Sequence, residues 1–269
     1  MKFKQIALAI AAVGATVAAS GAAQAAVVLD GWALETASGT TSNIGRLNLV
    51  SGTATVEQET DAAGNVFVGA AFREQGSIYS ISYTTENTVG AGDTGAPGNL
   101  HTMLTISFSN VAGQVTALNS GGGFAYSFTS GDFTIQSADG ASASGSIIGI
   151  GGNAASTAVI GGTNGDSTLL AQILSTAGIM NFYDNGGGLL NPGFATGEYL
   201  FEAVTNNNVT DSFGLSECSF KAGATCSRFS VASAGDAYIV QQQVPEPAML
   251  GLLGLGLMGL GVSMRRRKA

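Results

Sequence analysis

The sequence predicts an all-β fold: a single β-sandwich-like or β-rich domain with one short helix, preceded by a signal peptide and followed by a C-terminal transmembrane helix. Three observations predict it. Charged residues make up only 10% of the 269. Gly, Ser, Thr, Asn and Ala dominate instead, which favours turns and short strands over helix. Apolar residues alternate with polar ones at period two through most of the chain. The alternating runs recur roughly every ten residues with turn signals between them, as in a sandwich or related β architecture. A β-solenoid is the second choice, and the lack of a fixed-period repeat counts against it.

In chain order, Lys2 and Lys4 give a positive start and Ile6–Val17 an apolar core. Ala23-Gln24-Ala25 is a small-x-small cleavage site, with Ala26 as the new N-terminus. The core is short and runs straight into a Gly/Ala/Ser-rich stretch, so residues 1–25 read as a secretory signal peptide rather than an anchor. Residues 26–243 follow as one secreted domain with no clear internal boundary.

Within that domain, Arg46–Val50 and Gly52–Gln58 read as neighbouring strands. Val66, Val68, Ala70 and Phe72 alternate, and so do Tyr79, Ile81 and Tyr83. Arg73-Glu74-Gln75-Gly76-Ser77 between them reads as a turn, which makes Val66–Thr84 a hairpin. Thr88–Asn99 holds four glycines, Asp93 and Pro97 and reads as a loop. Leu104, Ile106 and Phe108 alternate next, then Phe124, Tyr126 and Phe128. Phe133 and Ile135 follow the turn signal Ser130-Gly131-Asp132. Gly140–Gly165 is a low-complexity patch, read as a loop-rich insert. The helix is placed at Asp166–Ala177, where Leu169, Leu170, Ile173, Leu174 and Ala177 share one helical face. Asp166 or Ser167 suits its N-cap and Gly178 its C-terminal glycine. Strands return at Tyr199–Thr205, Phe213–Leu215 and Ala237–Gln241.

Cys218 and Cys226 are the only cysteines. In an exported chain their proximity favours a local disulfide, with Ser216–Phe220 and Cys226–Val231 as hairpin arms. A metal pair would need further Cys or His partners nearby.

The domain is strongly acidic. Its basic residues are Arg46, Arg73, Lys221 and Arg228, against 17 acidic ones (18 less Glu246), which puts it near −13 where the whole chain is −8. No basic stripe can form, so nucleic acid is excluded as a partner and anionic membrane surfaces are disfavoured. Such a body could bind divalent cations or simply stay soluble.

Candidate chemistry is sparse. His101 is the only histidine. It lacks a G-x-S-x-G serine or a metal-ligand set and reads as a polar residue at a loop-to-strand boundary. Gly161–Asp166 faintly echoes a calcium-binding nonapeptide, but as a single imperfect copy it reads as a turn. Glu57, Glu59 and Asp61 alternate along one strand face. They could serve as paired carboxylates for glycoside hydrolysis or as oxygen ligands for calcium. The simpler reading is a solvated strand edge. Trp32, the lone tryptophan, suits a core or interface better than a sugar platform. No cofactor motif is present.

The tail carries the strongest motif. Val244-Pro245-Glu246-Pro247 precedes an uncharged apolar run, Ala248–Met264, and then Arg265-Arg266-Arg267-Lys268-Ala269. As a helix the run is ~25 Å long at ~1.5 Å per residue, the lower limit for spanning a bilayer. The basic cluster should stay cytoplasmic. Glycines at 251, 254, 256, 259 and 261 argue against a buried soluble helix. A permanent anchor and a transient sorting signal both fit. In its order of parts, residues 244–269 resemble the PEP-CTERM sorting domain. That resemblance implies recognition of Pro245, Glu246 and Pro247 by the membrane enzyme exosortase, with Arg265, Arg266, Arg267 and Lys268 as the basic stop. It implies a Gram-negative host, transient residence in the inner membrane, and a final place at the outer surface or in the extracellular matrix. Two prolines enforce an extended backbone that suits a protease groove. The segment Phe72–Gly95 and the late cysteine pair are also similar to PEP-CTERM proteins linked to flocculation. That likeness implies exopolysaccharide or matrix and surface proteins as partners. The competing class is a secreted polysaccharide-modifying enzyme using Glu57 and Glu59.

Overall fold

Period-two patterning is realised along nearly the whole domain, in strands longer than the turn signals suggest. The computed structural model of the protein describes residues 26–85, 95–120, 122–154 and 164–242. In order these form β1 (Ala26–Val28), β2 (Trp32–Thr36), β3 (Gly39–Ile44), β4 (Arg46–Thr60), β5 (Ala71–Thr84), β6 (Pro97–Leu118) and β7 (Phe124–Ser137). β8 (Ser142–Ala154), β9 (Asn164–Ala177), β10 (Asn181–Tyr183), α1 (Asn191–Thr196), β11 (Tyr199–Glu217) and β12 (Thr225–Gln242) complete the chain. The signal peptide 1–25 and the tail 244–269 lie outside the described residues.

The eight long strands follow one another as an antiparallel meander in the order β4-β5-β6-β7-β8-β9-β11-β12. β12 then pairs back onto β4, from Thr225↔Thr60 to Ala237↔Leu47. The all-β class with one short helix holds, and within it the sheet closes on itself as a barrel. Closure gives each long strand two partners and removes the exposed edges that an open sheet must protect. Alternation alone does not separate a barrel from a sandwich, because both turn every second side chain inward.

Several predicted turns lie inside strands. Arg46–Val50 and Gly52–Gln58 are one strand, β4, with Ser51 at φ +54°. Its register against β5 shifts between Val50 and Thr53. Arg73–Ser77 is the middle of β5, where the register against β6 shifts between Glu74 and Gly76. Ser130-Gly131-Asp132 sits within β7, opposite a shift between Ser109 and Ala112 of β6. Within the Gly-rich patch Ser142–Ala154 form β8, with a shift against β9 at Ile147/Gly149, and residues 155–163 lie outside the described residues. These small and polar residues bulge the strands instead of reversing them. Bulges supply the extra twist and bend that a closed wall needs.

The segment predicted as helix, Asp166–Ala177, is strand β9. It pairs with β8 on one side and β11 on the other. Ser167, Ala171 and Ile173 are buried at period two, while Leu174 is exposed. A ladder to β8 along almost the whole segment and one to β11 up to Ala171 outweigh a modest helix preference. The helix lies instead at Asn191–Thr196, with Pro in its first turn and Gly197 left-handed at φ +79°.

One end of the barrel is filled. The small sheet β10-β2-β3 and α1 cover it. Trp32–Phe182, Phe182–Phe194 and Phe194–Tyr199 pack tilted or edge-to-face with centroids 6.1, 5.3 and 6.1 Å apart. The Ser38 amide donates to Asp139 Oδ2 at 2.8 Å and the His101 amide to Thr41 Oγ1 at 3.3 Å, tying the cover to the β7–β8 turn and to β6. Trp32, Phe182 and Phe194 are fully buried. At ~1.5–3 kcal/mol for each large apolar side chain removed from water, this end is a strong anchor. It also leaves the opposite end, with the β4–β5 and β11–β12 turns, to carry the polar features.

Candidate functional site

The β11–β12 turn builds one of these features. The ladder ends at Glu217↔Thr225, so β11 stops before Phe220. Residues 218–224 form a turn tied by the Cys218–Cys226 disulfide, Cα–Cα 4.9 Å. It folds back over the outer face of β4, where Glu57 sits across from Arg228 and Glu59 across from Cys226. The Ser219 amide donates to Glu57 Oε1 at 2.7 Å and its hydroxyl donates to Oε2. Arg228 Nη2 lies 3.5 Å from the same carboxylate. Glu59 accepts the Ala71 amide at 3.0 Å and the Lys221 ammonium.

Glu57 and Glu59 are therefore 7% and 5% exposed. The expected solvated strand edge is overturned, because closure leaves β4 no free edge and the turn brings donors to both carboxylates. Burial under the turn pushes both pKa values up. For Glu57 the Ser219 hydroxyl and amide and Arg228 outweigh it. For Glu59 the Ala71 amide and Lys221 do so. Both carboxyls end below the ordinary glutamate range. Asp61 stands apart, exposed, accepting the Ala63 and Asn65 amides at 2.9 and 2.8 Å and shaping the next turn.

Between this turn and the β4–β6 wall runs an open groove of about 470 Å³, bordered by Arg73, Arg228, Phe220, Asn110, Gln75 and Thr55. The Arg73 guanidinium sits 6.0 Å from the Phe220 ring centroid and donates to the Asn110 carbonyl at 3.1 Å. A second hollow of about 550 Å³ shares Thr55 and Gln75 and continues along the wall past Thr53, Ser77, Ser109 and Ser230. Sequence reasoning missed this groove. Arg73 and Gln75 fell in a segment read as a turn, and Phe220 was assigned to a strand arm. The available signal was charge: two of the domain's four cations line one groove.

Inside the barrel, the end opposite the aromatic plug holds a hollow of about 70 Å³ lined by Phe72, Phe124, Tyr126, Phe229 and Glu74. Another of about 40 Å³ lies deeper, also bordered by Glu74 and Asn207. At ~10–15 Å³ per water these hold a few waters rather than a sugar. Glycine makes the room: a Cβ at Gly113 would lie 2.2 Å from the Phe72 ring, and one at Gly152 2.7 Å from Tyr126 Oη. Asn207 Nδ2 donates to Ser167 Oγ at 2.9 Å, and Ser233 Oγ to Asn207 Oδ1 at 2.6 Å. Among the described residues no hydrogen bond or ion pair reaches the Glu74 carboxyl, and burial pushes its pKa up to about 7. Burial, then the charge of Glu74, pushes Tyr126 up as well. Its hydroxyl donates to the Asp166 carbonyl at 3.1 Å.

The other candidates scatter. His101 lies exposed on β6 beside Gly39. Trp32 is in the plug. Asp166 is the third residue of β9, and residues 161–163 lie outside the described residues. Ala23, Ala25, Pro245, Glu246, Pro247, Arg265, Arg266, Arg267 and Lys268 lie outside them too. Among the described residues no helix is long and apolar enough to cross a membrane.

Comparison with known proteins identifies the tail. The PEP-CTERM protein-sorting motif matches residues 243–268. No curated protein and no solved structure matches the chain. The motif is a membrane-transiting sorting signal, and it implies export and processing by exosortase.

Proposed function

We propose that this exosortase-sorted protein acts at the cell surface or in the extracellular matrix, in exopolysaccharide-associated aggregation such as flocculation or biofilm formation. The observation that carries the reading is the sorting motif at 243–268. A closed, edge-free barrel stapled by a disulfide suits a protein that must last outside the cell. We further propose that it acts by binding rather than by catalysis. Glu57 and Glu59, the carboxylates a hydrolytic mechanism would need, are already held by Ser219, Arg228, Ala71 and Lys221.

The test is a gene deletion. Loss of cell aggregation and settling with polysaccharide synthesis intact supports the proposal. Unchanged aggregation in the deletion strain overturns it.

A further inference from the structure

We infer that the groove between the disulfide turn and the β4–β6 wall is a saccharide-binding track whose Arg73–Arg228 end takes the carboxylate of an acidic sugar residue. The inference rests on the matrix reading for its biological setting and names the ligand chemistry.

Four observations converge on it. The domain is acidic overall, yet two of its four cations border this one groove. Of the other two, Arg46 pairs with Asp236 at 3.4 Å and Lys221 with Glu59. Each groove arginine keeps donors in reserve. Arg73 spends one N–H on the Asn110 carbonyl, and Arg228 contacts Glu57 at 3.5 Å while its side chain stays 46% exposed. A guanidinium carries five N–H donors and matches a carboxylate with a two-point fork. Glu57 and Glu74 also border the groove, but Ser219 and Arg228 already hold Glu57 and Glu74 lines the interior hollows, which leaves the two guanidinium groups as the groove's exposed charged side chains.

Volume and chemistry agree with a glycan. The two hollows, about 470 and 550 Å³, join through Thr55 and Gln75. They make a track several sugar rings could follow, floored by hydroxyl and amide side chains. Such side chains exchange hydrogen bonds with sugar hydroxyls at little net desolvation cost. Phe220 adds apolar surface and holds Arg73 in place at 6.0 Å. The site is also rigid. The Cys218–Cys226 bond, the Ser219–Glu57 bonds and the Lys221–Glu59 pair fix the turn that forms its upper wall. A wall held in advance reduces the ordering cost of binding.

The charge of the rest of the domain gives a signature. Near −13, it repels a polyanion at long range, while contacts in the groove are short. Raising salt from ~10 mM to ~100 mM shortens the screening length from ~30 to ~10 Å and removes mostly the repulsion. Affinity should therefore hold or rise over that range, where a basic polyanion binder would weaken.

The experiment is calorimetric titration of the exported protein with two matched probes, cellotetraose and its C6-oxidised form, tetraglucuronate. Tetraglucuronate should bind at least tenfold tighter than cellotetraose. Arg73→Gln should weaken tetraglucuronate at least tenfold and cellotetraose by less than threefold, and Arg228→Gln should weaken tetraglucuronate severalfold. No binding of tetraglucuronate, no preference for it over cellotetraose, or an Arg73→Gln affinity within twofold of wild type overturns the inference. Arg73 is exposed, so its variant should fold, and the wild-type preference between probes is decisive even without it. Lost binding in Arg73→Gln with normal aggregation of the cells supports the site and counts only against the aggregation role. Unchanged binding overturns the site and leaves that role standing.

Discussion

Glu74 places one ionisable group where it should lower stability at neutral pH. It sits on the inward face of β5, among Phe72, Phe124, Tyr126 and Phe229, with no hydrogen bond or ion pair reaching its carboxyl among the described residues. Its pKa rises from 4.5 to about 7 because burial penalises the charged form. The folded state therefore holds a proton that the unfolded state has released between those values. The stabilisation is complete below about pH 4.5 and is lost as pH rises through about 7. A rise of about 2.5 units at ~1.36 kcal/mol per unit sets a ceiling of ~3.4 kcal/mol. Glu74 is only partly buried by accessible surface and borders water-sized hollows, so solvent screening discounts that to ~1–3 kcal/mol. Glu74→Gln keeps the shape and removes the charge. Its melting temperature at pH 8 should exceed that of wild type by roughly 2–12 °C, at ~2–4 °C per kcal/mol for a domain of this size. At pH 4.5 the two should coincide. Scanning calorimetry across pH 4.5 to 8 reads the difference directly. Equal melting at pH 8, or a gap that persists undiminished at pH 4.5, would refute the reasoning.

Two further perturbations probe the disulfide turn. Glu59→Ala strips the Ala71 amide of its acceptor and unpairs Lys221, so urea unfolding at pH 7 should show a loss of ~1–3 kcal/mol. The folded pKa of Glu59 is depressed, so its stabilisation is present above the ordinary glutamate pKa and lost as pH falls through the folded value. The variant and wild type should therefore converge in acid. Replacing Cys218 and Cys226 together with Ser opens a loop of sequence separation 8 and should cost at most ~2.5 kcal/mol. Protease cleavage between 218 and 226 should accelerate in step.

The alternation of Leu104 with Ile106 and of Phe124, Tyr126 and Phe128 was legible because a strand needs only period two, and the structure uses those residues as read. Tyr79, Ile81 and Tyr83 also alternate, but a register shift between Ser80 and Ser82 leaves Ile81 exposed and packs Tyr83, opposite Leu47, against the core, which alternation alone does not show. What misled was glycine and small polar residues within strands. Gly76 and Gly131 carry the same local signal whether the chain reverses or bulges, and only the neighbouring strands decide. β9 shows the same limit, since Leu169, Leu170, Ile173 and Leu174 fit a helical face as well as a strand. The partners β8 and β11 settle it. The disulfide was legible from compartment and spacing. The embrace of Glu57 and Glu59 by Ser219 and Lys221 was not, because 162 residues separate the partners. Glu74 hid inside a misread turn.

The PEP-CTERM motif implies that exosortase processes the tail. Mass spectrometry of the C-terminus of the mature surface protein tests it most directly. The expected result is an end near Pro245-Glu246-Pro247, with Ala248–Ala269 absent, and retention of the full tail in a Pro245→Ala variant. A mature surface protein that still ends in Arg267-Lys268-Ala269 would contradict it.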